Sequence, residues 1–243
     1  MIGNIFNLIL YQPLFNALIF LYAYLPGHDF GIAIIVLTAA IRLALYPLMA
    51  QSIRSQKILN ELQPKIQEIQ KQYQDDKQQQ AKAMMELYQK EKFNPFGGCL
   101  PLLIQLPILI ALYRVFWKGF QAEQLGFLYS FVPNPGAINP MFLGLINLTQ
   151  PNIFFAILAG ACQFIQSKMM MPQIKKQPQG GKQMNQFSDV MQKQMIYFLP
   201  LFTVFILWRL PAAVGLYWMV TTLFSIIQQY LIYKKPVVKN VRP

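Results

Sequence analysis

Three features of this sequence predict an all-α polytopic membrane protein. Hydrophobic residues make up 55% of its 243 positions and charged residues only 12%, about half the charged share of soluble domains. The apolar residues gather in long runs at 31–50, 97–117, 152–171 and 195–233, each long enough to cross a bilayer at least once. The basic residues are segregated between those runs, with seventeen of the 21 in three segments. The expectation is five transmembrane helices, a cytoplasmic helical hairpin and an amphipathic N-terminal helix at the membrane interface.

The N-terminal segment, 1–29, is apolar but interrupted by Asn4, Asn7, Gln12, Pro13 and Asn16. It has no basic n-region and no A-x-A-like site, so a cleavable signal is not expected. We read it as interfacial, with a sixth span as the alternative. The first span takes 30–50. The second runs over about 97–117 and the third over about 152–171. The 39 residues of 195–233 are too long for one span at 1.5 Å per residue. Arg209-Leu210-Pro211 divides them into 195–209 and 214–233, and the shorter fourth span calls for local thinning of the bilayer. Four spans and their loops thus occupy 96–233, and 234–243 is a short basic tail.

Charge sets the orientation. Segment 51–95, the loop around 168–193 and the tail hold the seventeen segregated basic residues, whereas the opposite side has only Arg114, Lys118 and Arg209. Positive-inside then places the three basic segments and the C-terminus in the cytoplasm and the N-terminus outside. The net charge of +12 is therefore chiefly a topology signal, and no specific nucleic-acid partner is expected. Cys99 and Cys162 sit in separate apolar runs and His28 stands alone, so neither a disulfide framework nor a metal site is expected.

Segment 51–95 carries eleven glutamines and six carboxylates, yet it keeps helical periodicity. Ile66, Ile69 and Tyr73 recur at three and four residues, as do Ala81, Met84 or Met85, and Tyr88. Pro64 suits a helix first turn, and Asp75-Asp76 suits a turn and helix start. The expectation is two antiparallel helices, about 64–74 and 77–92. Met84, Met85 and Tyr88 would offer adaptable contacts to incoming polypeptide or lipid. A solvated connector is the plainer alternative.

Arg42 is the most informative residue. It is the only charge in 31–50, eleven residues past Gly31, or about 17 Å along a helix and near the middle of a ~30 Å hydrocarbon core. All nine acidic residues lie outside the expected spans. Arg42 must therefore meet water, backbone carbonyls or neutral polar side chains, and helical spacing supplies the last of these. Thr38, Arg42 and Tyr46 share a face of the first span. Gln105 lies in the second. Gln163, Gln166 and Ser167 mark the third. Trp218, Thr221, Thr222, Ser225, Gln228 and Gln229 form a stripe on the fifth. Facing one another, they would line a hydrated, positively charged cavity within the membrane. The alternative is a set of separate helix–helix hydrogen bonds. No nucleophile–His–acid set, intramembrane carboxylate pair or Gly-rich phosphate loop is present. Neither an enzyme nor a cofactor is expected.

Four ordered stretches carry a resemblance. LQPKIQEIQKQYQDDKQ at 62–78, NPFGGCLPLLIQLPILIALY at 94–113 and GLYWMVTTLFSIIQQYLIY at 215–233 closely resemble the YidC/Oxa/Alb family of membrane protein insertases. IRLALYPL at 41–48 is similar to the family's first core span, arginine included. The resemblance covers about 30–235. It implies a five-span core and a hydrophilic groove that contains Arg42, open to cytoplasm and lipid and closed to the outside. It also implies insertion and folding of nascent membrane proteins, alone or with the Sec translocon, without ATP hydrolysis or covalent chemistry. The sequence departs from the family in three ways. Thr221-Thr222 stand where asparagine is frequent. The large periplasmic domain and extra N-terminal span of many Gram-negative relatives are missing. The ten residues after Tyr233 are short for tail-mediated ribosome docking. The competing reading is a small channel or transporter with Arg42 as its anion site, which lacks the internal repeat usual in transporters.

Overall fold

The structure, a computed structural model, describes residues 2–91, 93–98, 100–118, 122–171 and 194–234. Cys99, most of the basic loop after Lys168 and the tail beyond Lys234 lie outside the described residues. The described chain is mostly helical, with irregular backbone over 128–140 and one small hairpin, β1 (Met141–Phe142) and β2 (Ile146–Asn147). The strands pair antiparallel, with Met141 opposite Asn147.

Two helices, α1 (Ile2–Phe6) and α2 (Gln12–Tyr24), are joined by a π turn at Asn7–Tyr11. Pro13 accounts for the wide turn, because it has no N–H for the carbonyl four residues earlier. Phe15, Leu18 and Ile19 of α2 are fully buried, and α2 packs on α3 and α6. Here the structure adds to the interfacial expectation for 1–29. Asn4–Tyr24 is a helical stretch of 21 residues with mean hydropathy 1.6, long and apolar enough to cross a membrane.

Asp29 caps α3 (Phe30–Ala44) by accepting from Ile32 N–H at 2.9 Å, and its other oxygen accepts from Leu143 N–H. Gly31 lies directly under the Phe142 ring. A Cβ there would come within 2.1 Å of that ring, so the β-hairpin docks on α3 only over glycine.

The expected first span to residue 50 is broken by a bend at Leu45. α3 stops at Ala44, and α4 (Tyr46–Gln72) departs at 66°. Pro47 in the first turn of α4 fits this restart, where no N–H is needed. The expected helix start at Pro64 is also corrected, because α4 runs unbroken through it. Leu62 and Ile66 are buried in a small cluster with Phe93, flanked by Ile58, Leu59 and Leu87. This packing outweighs the single backbone bond that Pro64 removes. α5 (Lys77–Lys90) starts at the expected place, with Asp76 capping Gln78 and Gln79 at 3.0 Å. It folds back along α4. Gln80 Nε2 donates to Gln70 O near the turn, and Lys65 pairs with Glu91 at the far end.

The remaining helices are α6 (Leu100–Lys118), α7 (Ile153–Met170), α8 (Leu199–Leu207) and α9 (Ala212–Lys234). The break between α8 and α9 falls at Arg209–Pro211, as expected. Ala212 N–H donates to Gln150 O at 2.8 Å and Ala213 N–H to Leu148 O at 3.1 Å. Two otherwise orphaned donors at the start of α9 are thus satisfied by the loop before α7. α9 is central and packs chiefly against α7 and α3. Among the described residues, Ile153–Met170 is the second straight helix that can cross a membrane by length and composition, and α3 with α4 forms a bent candidate. Leu103–Trp117 and Ile196–Leu207 are shorter apolar helices.

Candidate functional site

The site is built on one face of α9. Tyr217, Thr221, Ser225 and Gln228 follow at steps of four, four and three, the spacing of a single helical face. All four are buried. Opposite them, α3 carries Thr38 and Arg42 at a step of four, also buried.

Arg42 is only 8% exposed. Its Nη2 donates to Thr221 O at 3.0 Å and to Ser225 Oγ at 2.8 Å. Ser225 Oγ itself donates to Thr221 O at 3.0 Å, so helix carbonyl, hydroxyl and guanidinium form a closed triangle. Both partners are neutral. Among the described residues the ion pair is Lys65–Glu91, in the hairpin. Charge-assisted hydrogen bonds of this kind contribute about 1.5–3 kcal/mol each, enough to offset much of the cost of an intramembrane arginine. They do not cancel its charge. The result is a fixed positive field inside a helical bundle.

Around this triangle the other expected residues divide. Gln105 Nε2 of α6 donates to Tyr217 OH, and Trp218 Nε1 donates to Gln163 Oε1 of α7 at 3.0 Å. These two bonds tie α9 to its neighbours. Thr38 and Thr222 return their hydroxyls to their own helices, at Ile34 O and Trp218 O. Gln166 is half-buried. Tyr46 does not join the Thr38–Arg42 face. It lies past the bend, 37% exposed, and Gln228 Nε2 reaches its backbone carbonyl at 3.0 Å. In the hairpin, Met84 and Tyr88 pack on the Leu62–Ile66–Phe93 cluster, and Met85 is exposed. Burial there pushes the Tyr88 phenol above its ordinary pKa.

Sequence reasoning missed three contributors. Tyr217 sits one turn before Thr221 on the polar stripe, and that position was the available signal. Lys57 Nζ donates to Tyr233 O at 3.3 Å, and Asn60 Nδ2 donates to Met170 O at 2.8 Å. α4 thereby caps the carbonyl ends of both α9 and α7. Their spacing of three on one helix became readable only once α4 was known to begin at Tyr46.

Comparison with known proteins gives consistent results. The profile of a family described as 60Kd inner membrane protein matches residues 20–239. A membrane protein insertase YidC from Magnetococcus marinus is 38% identical over 209 residues, which cover 86% of this chain and 33% of that protein. One from Hahella chejuensis is 36% identical over 225 residues, covering 92% of this chain and 34% of its own. A crystal structure described as active YidC insertase with the first transmembrane domain resolved superposes with a TM-score of 0.60 at 26% identity. It covers 93% of this chain and 47% of that one. The chain therefore spans about a third of the length of the relatives it matches.

Proposed function

Because the chain belongs to the 60Kd inner membrane protein family, to which the YidC/Oxa insertases belong, we propose that it integrates and folds other proteins in the membrane through the polar site around Arg42. The observation that carries this reading is the guanidinium held among apolar helices by partners that, among the described residues, are neutral. A buried charge without a counter-charge is a standing attraction for a guest. A short polar or acidic segment passing Arg42 exchanges its hydration for that field and for the Thr221–Ser225 acceptors and donors. Its apolar segment then partitions into lipid along the exposed faces of α6 and α8, where Leu103, Leu106, Phe202 and Phe205 are uncovered. No step requires a nucleotide or a covalent intermediate.

The proposed topology has α3, α6, α7, α8 and α9 crossing, the α4–α5 hairpin in the cytoplasm and α2 along the outer surface. Irregular loop backbone supports this placement of α2. Tyr11 OH donates to Gln124, Asn16 Nδ2 donates to Phe127 O, and Tyr22 OH accepts from Asn139 N–H. The segment 122–139, a 3-10 helix at Ala122–Phe127 followed by irregular backbone from 128, thus follows α2, and irregular backbone is not tolerated facing hydrocarbon. Nascent membrane proteins are the proposed clients. The Sec translocon and the ribosome are proposed partners, met through the lipid-facing helices and the cytoplasmic hairpin.

The test is reconstitution into liposomes. Purified protein should integrate a short Sec-independent client, scored by protease protection, with no nucleotide and no solute gradient. Anion flux without client integration would instead assign Arg42 to a channel or transporter.

A further inference from the structure

An apolar cavity of roughly 260 Å³ lies between α6, α8 and α9. Ile110 and Tyr113 of α6, Thr203 and Ile206 of α8, and Val214 and Trp218 of α9 enclose it. It is half open. Its rim residues Ile110 and Ile206 are exposed on the outer faces of their helices, so the mouth gives onto lipid rather than onto the bundle axis. Leu210 is also among the lining residues. The next residue in sequence is Arg209, in the turn between α8 and α9, exposed and with its guanidinium against the Trp208 ring at 5.8 Å. Among the described residues no carboxylate pairs with Arg209.

The combination has a definite chemical complement. The cavity walls are apolar side chains, and the residue next in sequence to one of them, Arg209, is an exposed cation in the turn between α8 and α9 with no carboxylate partner among the described residues. A molecule with an apolar chain and an anionic head matches both features. We propose that this is a phospholipid site, with one acyl chain in the cavity and the phosphate of an anionic headgroup on Arg209. The guanidinium fork suits phosphate oxygens, and the acyl chain fills space that packing of α6, α8 and α9 leaves open. Bound there, the lipid would bridge three helices at the end where α8 is joined to α9. This site uses neither Arg42 nor its hydrogen-bond partners, but it lies on the α6 and α8 faces along which the proposed function passes client segments.

The test uses tryptophan fluorescence of the full chain in liposomes. Trp117→Phe with Trp208→Phe leaves Trp218, a wall of the cavity, as the sole reporter. Phosphatidylglycerol with dibrominated acyl chains, titrated into phosphatidylcholine, should quench Trp218 at low mole fraction. Brominated phosphatidylcholine should need about fivefold more, the enrichment expected from one basic residue toward an anionic lipid. Arg209→Gln should bring the two headgroups to the same curve. Ile110→Phe, which crowds the mouth from an exposed position, should weaken quenching by both. Equal quenching by the two headgroups in the unaltered-Arg209 protein, or a phosphatidylglycerol preference that survives Arg209→Gln, would overturn the proposal. Weak lipid quenching combined with strong quenching by an apolar helical peptide bearing bromophenylalanine would assign the cavity to a client segment and overturn it as well.

Discussion

Arg42 combines a charge that costs energy with an anchorage that is modest. Its two acceptors also bond each other, since Ser225 Oγ donates to Thr221 O at 3.0 Å. Removing the guanidinium therefore leaves no buried acceptor stranded. We predict that Arg42→Ala lowers the stability of the detergent-solubilised protein by only about 1–2 kcal/mol, the scale of a typical hydrogen-bond deletion. Ser225→Ala should cost as much or more, because the charge then keeps Thr221 O alone. Thermal unfolding of the two variants checks this, and complete unfolding of Arg42→Ala would make the residue a structural one. The sequence alone showed that Arg42 has no acidic partner in the spans, since all nine carboxylates fall elsewhere. It did not show which neutral groups would meet the guanidinium. That depends on the rotation of α9 about its axis, which side-chain packing against α7 decides.

At the scale of elements, the hairpin divides in two. Near the core, α4 is tied down by Lys57 at Tyr233 O, Asn60 at Met170 O and Gln228 at Tyr46 O. Beyond Ile66, among the described residues, a side-chain bond joins α4 to α5, from Gln80 Nε2 to Gln70 O. Hydrogen exchange should therefore be fast in α5 and in the distal turns of α4 and slow from Tyr46 to Leu62. Uniform protection across both helices would mean a rigidly docked hairpin. Tyr88 supplies a pH dependence. Its phenol is raised by burial, so the unfolded hairpin ionises first. The packing contribution is complete below about pH 10, the ordinary phenol value, and is lost as pH rises through the higher folded value. Ultraviolet difference titration against Tyr88→Phe should show one phenol ionising late. Helix periodicity and the Asp76 cap made α5 legible in the sequence. α4 was not, because Pro64 is a strong local start signal and the packing of Leu62 and Ile66 that overrides it is tertiary. The bend at Leu45 was hidden for a similar reason. Pro47 is compatible with a kinked span and with a new helix, and only the direction of α4 distinguishes them.

For the whole molecule, the apolar runs anticipated the helices α6, α7 and α9, whereas α4, the longest described helix, starts inside one run and continues beyond it. The ambiguity at 1–29 was real, since Asn4–Tyr24 passes a length and composition test for crossing while its polar bonds follow a loop. The proposed orientation is tested with single cysteines at Asn139 and Gln79, after replacing Cys99 and Cys162. An impermeant thiol reagent applied to intact cells should label Asn139 and spare Gln79, and the reverse would refute the orientation. The central claim is that an uncompensated positive charge in the membrane draws polar client segments across. The most direct measurement is insertion of a client series that differs only in the charge of its short translocated segment, scored by protease protection. Arg42→Lys should retain much of the activity. Arg42→Ala should impair acidic clients most and neutral ones less, and Arg42→Glu should be worse again for the acidic ones. If Arg42→Ala and Arg42→Lys perform alike across the series, charge attraction is not the mechanism.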